Sequence, residues 1–83
     1  AKPHPDLFLH AAREMNFSPG RCIVVEDSLH GVNAAKAAGM RVFGYAPDAE
    51  PDSLRDHTLF VAGAKILTNM NQLPELIAAE LRR

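Results

Sequence analysis

Cysteine is nearly absent from this 83-residue chain, where Cys22 stands alone. No internal disulfide can form, and such usage fits a reducing compartment. Long apolar runs are missing too, none approaching the roughly 20 residues that a membrane-spanning helix needs. The opening residues lack the basic-then-apolar order of a secretory leader. The expectation is therefore a soluble, cytoplasmic protein. Neither sign of charge is in excess. The formal net charge is −1, with Lys and Arg scattered along the chain, which leaves no electrostatic footprint for nucleic acid or an anionic membrane. His4, His10, His30 and His57 have no metal-ligand spacing, and one cysteine cannot build a zinc set; the histidines read as surface or packing residues. No serine sits in a Gly-x-Ser-x-Gly elbow. Gly39 to Gly44 has the spacing of a phosphate loop, but Tyr45-Ala46 follows where Lys-Ser/Thr is required.

What is present is an ordinary globular composition, 47% hydrophobic and 23% charged, enough for one small domain with a modest core. Pro3 and Pro5 hold the opening extended, and from Asp6 to Asn16 the residues Leu7, Phe8, Ala11, Ala12 and Met15 recur at helical spacing. Ser18-Pro19-Gly20 predicts the turn that ends this helix. Cys22-Ile23-Val24-Val25 reads as a strand covered on both faces. A second helix runs through Gly31 and the alanines at 34, 35, 37 and 38, with Gly39 as a left-handed C-cap. Arg41 to Tyr45 is a second strand, and 46–51 a polar loop. Two readings stand for the next stretch: a helix from Ser53 to Ala62 closed by Gly63, or a strand at Phe60-Val61. On the first of these readings Lys65-Ile66-Leu67 is then a third short strand. A final helix from Met70 to Arg82 puts Leu73, Leu76, Ile77 and Leu81 on one face, with Pro74 tolerated in its first turn. Strands separated by helices imply right-handed crossovers and a parallel α/β sheet with helices on both faces.

In such sheets ligands bind beyond the carboxyl ends of the strands. Glu26-Asp27-Ser28 leaves the first strand there. Adjacent carboxylates repel unless a cation or donors compensate them, and hard oxygen ligands suit Mg²⁺. Equally, Asp27 or Ser28 could simply cap the following helix; the residues alone leave both readings open. Lys2 taken alone is a solvated lysine. Gly31 reads as a packing position and Cys22 as a small core hydrophobe.

Taken together, Lys2-Pro3-His4-Pro5-Asp6, Ile23-Val24-Val25-Glu26-Asp27-Ser28 with Gly31, and Ala34-Ala35-x-Ala37-Ala38-Gly39-Met40 resemble the haloacid dehalogenase-like hydrolases. The nearest pattern is that of the branch holding β-phosphoglucomutase and sugar-phosphate phosphatases, where the Leu73-Pro74-Glu75-Leu76 ending is also common. The resemblance implies a three-layer, Rossmann-like parallel sheet. It further implies that Lys2 neutralises an aspartyl nucleophile and the substrate phosphate, that Asp27 and Glu26 hold Mg²⁺, and that Ser28 hydrogen-bonds to that shell. The activity implied is a Mg²⁺-dependent phosphatase acting on a small phosphorylated metabolite, a sugar phosphate, through an aspartyl-phosphate. A phosphomutase of the same family, or a non-catalytic receiver-like α/β module, are the alternatives. One departure is large. The family's Asp-x-Asp nucleophile motif and its phosphate-binding Ser/Thr do not occur; Asp48-Ala49-Glu50 is the nearest approach, but Pro47 precedes it and no apolar strand leads in. The expectation is that residues 1–83 form the C-terminal half of the core, that the N-terminal half with nucleophile and cap is its partner, and that this stretch alone is inactive.

Overall fold

The computed structural model of the chain describes residues 4–82. Helix α1 (Asp6–Glu14), strand β1 (Ile23–Glu26), helix α2 (Leu29–Ala37), strand β2 (Arg41–Tyr45), helix α3 (Thr58–Val61), strand β3 (Lys65–Leu67) and helix α4 (Leu73–Leu81) follow one another. The strands form one parallel sheet in the order β1-β2-β3, with Ile23 opposite Arg41 and Phe43 opposite Lys65. The predicted α/β alternation is therefore observed.

Because side chains alternate along a strand, that register sorts the sheet into two faces. Val24, Val42, Gly44 and Ile66 share one face. There Val42 packs with Val32 and Ala35 of α2, Leu59 of α3 and Ala64, with Phe8, Val24 and Ile66 at the margin. A smaller cluster of Ala12, Ala38 and Met40 joins α1 to the end of α2. The opposite face carries Arg41, Phe43, Lys65 and Leu67. Phe43 and Leu67 are among the most deeply buried side chains. Glu80 of α4 pairs with Arg41 and Lys65, which places α4 on this face.

Helix closure follows one device. Asn16, at φ 63°, Gly39, at 78°, and Gly63, at 108°, take the left-handed conformation. In each case the next residue's N–H bonds back five residues: Phe17 to Ala12, Met40 to Ala35 and Ala64 to Leu59. These are Schellman closures, which satisfy carbonyls that a helix end leaves open. Glycine adopts this conformation without steric cost, and asparagine is the usual second choice.

Several expectations need correction. Helix α1 stops at Glu14 because Asn16, not Ser18-Pro19-Gly20, closes it. Of its predicted stripe only Ala12 is buried and Phe8 half-buried; Leu7 and Met15 are 75% and 67% exposed. Strand β1 begins at Ile23, and its four residues are only half-buried because it lies at the sheet edge. The Ser53–Ala62 stretch is not one helix: a 3-10 segment, Pro51–Asp56, breaks before α3. Phe60-Val61 is helical. The last helix splits likewise into a 3-10 turn, Met70–Gln72, and α4. A capping box opens that turn: the Asn69 side chain accepts from the Asn71 N–H at 2.8 Å, and Gln72 Oε1 accepts from the Asn69 N–H at 3.1 Å. Leu81, expected on the buried face, is 74% exposed, whereas Glu80 is buried.

Candidate functional site

Glu26 is the last residue of β1, and Asp27 and Ser28 form the bend into α2. Ser28 is the N-cap: its Oγ accepts the Gly31 N–H at 3.0 Å. The capping reading thus holds for Ser28, while its own hydroxyl proton remains available to a neighbouring acceptor.

The two acids have different surroundings. The Glu26 side chain lies over the first turn of α2, against Gly31. A Cβ built on Gly31 would collide with the Glu26 carboxylate and stand 2.7 Å from Cγ. The missing side chain at Gly31 therefore makes room for an acid of the neighbouring strand, a packing role that also fixes where the acid sits. Asp27 is exposed and opens into a cleft of about 370 Å³ lined by Tyr45, Ala46, Pro47, Asp48, Ala49 and His57. This cleft lies beyond the carboxyl ends of β1 and β2. Neither Glu26 nor Asp27 has a hydrogen bond or ion pair among the described residues.

His57 and Asp48 were not singled out as site residues by pattern. His57 Nδ1 accepts the Leu59 N–H at 3.1 Å and so caps α3. That bond leaves the neutral ring's proton on Nε2. Nothing in the local sequence announces that it caps α3 or borders the cleft of Asp27. Lys2 lies outside the described residues. No group of three His, Cys, Asp or Glu side chains converges on a metal position among the described residues. Glu26 and Asp27, adjacent in sequence and without a hydrogen bond or ion pair among the described residues, are of the hard-oxygen type that suits a divalent cation taking one or two carboxylates and keeping its waters.

Among the described residues, no helix is long and apolar enough to cross a membrane.

A family model for haloacid dehalogenase-like hydrolases matches residues 1–39. The chain is 38% identical over 77 residues to 6-phosphogluconate phosphatase of Escherichia coli (strain K12), covering 90% of the chain and 32% of that protein. It is 35% identical over 82 residues to hexitol phosphatase B of Escherichia coli O157:H7, covering 98% of the chain and 33% of that protein. Among solved structures, a conserved haloacid dehalogenase-like protein of unknown function from Agrobacterium tumefaciens str. C58 superposes with a TM-score of 0.84 at 46% identity, over 98% of this chain and 37% of the other. A HAD family hydrolase from Deinococcus radiodurans R1, with bound phosphate and sodium, gives 0.75 at 36% identity, over 95% and 35%. The chain thus spans about a third of the length of these relatives.

Proposed function

The chain belongs to the haloacid dehalogenase-like hydrolases, and on that footing we propose that it supplies part of the active site of a phosphatase for small phosphorylated metabolites. The observation that carries this reading is the pair Glu26-Asp27 at the carboxyl end of β1, where open α/β sheets bind ligands. Both carboxylates lack protein partners among the described residues, and Asp27 opens into a cleft.

In this reading Asp27 and Glu26 hold Mg²⁺, with Gly31 leaving space for the Glu26 carboxylate and Ser28 donating its remaining proton to the acids. Bound there, the cation supplies positive charge beside a phosphoryl group. Lys2 contributes a second positive charge that offsets the phosphate and the nucleophile. Phosphoryl transfer depends chiefly on positioning and charge stabilisation, and these residues provide that part of the work. The nucleophile is an aspartate outside residues 1–83: its carboxylate takes the phosphoryl group as the substrate's ester bond breaks, and water then releases phosphate. The N-terminal half of the core, which brings that aspartate and the cap, is the partner. The phosphatases of 6-phosphogluconate and hexitol phosphates among the relatives favour a sugar phosphate as substrate and hydrolysis over mutase chemistry.

Mn²⁺, a paramagnetic stand-in for Mg²⁺, tests the metal assignment. Amide signals of residues 26–28, Ala46 and Asp48 should broaden on titration, and Asp27→Asn should remove the effect. Uniform broadening, or broadening unchanged in Asp27→Asn, would sink the assignment. The chain alone should not hydrolyse an aryl phosphate; Mg²⁺-dependent turnover by pure material would show that it holds a nucleophile after all.

A further inference from the structure

At the end of the sheet opposite the acids, basic side chains gather around one buried carboxylate. Arg41 opens β2 and Lys65 opens β3, and both pair with Glu80 of α4. The Glu80 side chain is 7% exposed, those of Arg41 and Lys65 45% and 47%. Lys36, near the end of α2, joins them. Lys36, Arg41, Lys65 and Glu80 border a cleft of about 210 Å³ whose walls include Val42, Phe43 and Gly63. Arg21 borders an adjoining cleft of about 260 Å³ that shares Arg41 and Glu80. Among the described residues Glu80 is the one acid lining either cleft.

One carboxylate therefore stands against four cations, two of which, Arg21 and Lys36, make no ion pair among the described residues. Lys36 and Arg41 have defined neighbours. The Lys36 stem runs past Gly63, where a Cβ would come within 2.9 Å of Lys36 Cε and 3.2 Å of Nζ. Its methylenes thus use the space that a side chain at position 63 would fill, and the ammonium is carried to the cleft. Arg41 Nη1 donates to the Glu80 carbonyl at 3.4 Å, and its Nε lies 3.8 Å from the carboxylate. Concave walls focus the field of such charges.

We propose that this basic cleft binds a small phosphorylated molecule at a site separate from the acidic strand ends. The excess of positive charge is more than a monocarboxylate neutralises, and guanidinium and ammonium groups together suit a multiply charged oxyanion. The proposal does not depend on the metal reading of Glu26 and Asp27.

Titration with inorganic pyrophosphate at constant ionic strength, followed in ¹H–¹⁵N spectra, tests it. Saturable shifts are expected at the amides of Lys36, Arg41, Gly63 and Lys65, with a dissociation constant on the order of millimolar. Lys36→Gln should weaken binding about fivefold, and Glu80→Gln, which removes the one negative charge, should tighten it. Acetate should give no saturable response. Shifts that never saturate, that centre on Asp27 and Asp48, or that persist unchanged in Lys36→Gln would overturn the proposal. The chain should stay in the supernatant with vesicles of phosphatidylcholine and phosphatidic acid; co-sedimentation would assign the cleft to lipid headgroups and overturn the small-molecule reading.

Discussion

Replacing Gly31 with alanine separates the two things that position does. As a helical glycine it costs backbone entropy, so alanine should return about 0.5–1 kcal/mol of stability. Against that, the new methyl occupies the place of the Glu26 carboxylate. The displaced group is the far end of a flexible side chain, half-exposed and free to adopt another rotamer. Its displacement costs roughly 0.5–1.5 kcal/mol. The terms nearly cancel, leaving net stability within about 1 kcal/mol of the parent, a shift of a few degrees in melting temperature for a domain of this size. Metal binding should respond quite differently. With Glu26 moved, divalent-ion affinity should fall about 10-fold or more, the effect usual when the support of a metal ligand is removed. Thermal denaturation followed by circular dichroism reads the first quantity, and Mn²⁺ broadening of the Asp27 amide reads the second. A loss of more than about 2 kcal/mol in Gly31→Ala would mean that the methyl strikes backbone instead of a movable side chain. Mn²⁺ affinity untouched by Gly31→Ala but abolished by Asp27→Asn would mean that Glu26 takes no part.

Substitutions at three further positions probe the frame of the fold. Gly39→Val forces a β-branched side chain to φ 78° and should cost about 1 kcal/mol or more; an unchanged denaturation midpoint would contradict the Schellman assignment. Ser28→Ala removes the acceptor for the Gly31 N–H and should cost about 1 kcal/mol, with Ser28→Asp restoring most of it in urea titrations. Glu80→Gln leaves Arg41 and Lys65 without their buried counter-charge and should cost about 1–3 kcal/mol. Since Arg41 and Lys65 are 45% and 47% exposed, raising the salt concentration should screen them and recover part of that loss.

The parts of this fold that were legible without coordinates are those decided by neighbours in sequence. The alanine-rich run closed by Gly39 marked α2, and the short runs Arg41–Tyr45 and Lys65–Leu67 matched β2 and β3. Gly39 announced its own left-handed cap. Asn16 and the Asn69/Gln72 pair carried equally local signals, a residue tolerant of positive φ and a capping-box spacing, and could have been read the same way. Where two local preferences compete, the reading lost definition: Pro51 and the His57 cap divide 51–61 between a 3-10 segment and a short helix, and no periodicity could foresee the break.

Tertiary structure decided what depends on residues far apart in the chain. Glu80 reads as a solvent-facing acid until Arg41 and Lys65, contributed by two separate strands, meet it and offset its desolvation. Leu81 gives up its expected place to that buried acid. The composition of the candidate site divides in the same way. The position of Glu26-Asp27 at a strand end follows from the local run of Ile23 to Ser28, and the family's pattern could be recognised from residues in order. That Glu26 lies on Gly31 while Asp27 shares a cleft with Asp48 and His57 required parallel pairing to bring the ends of β1 and β2 side by side. A strand's residues fix their own alternation, but the neighbours across the sheet are set by register and crossover, which are properties of the packed whole.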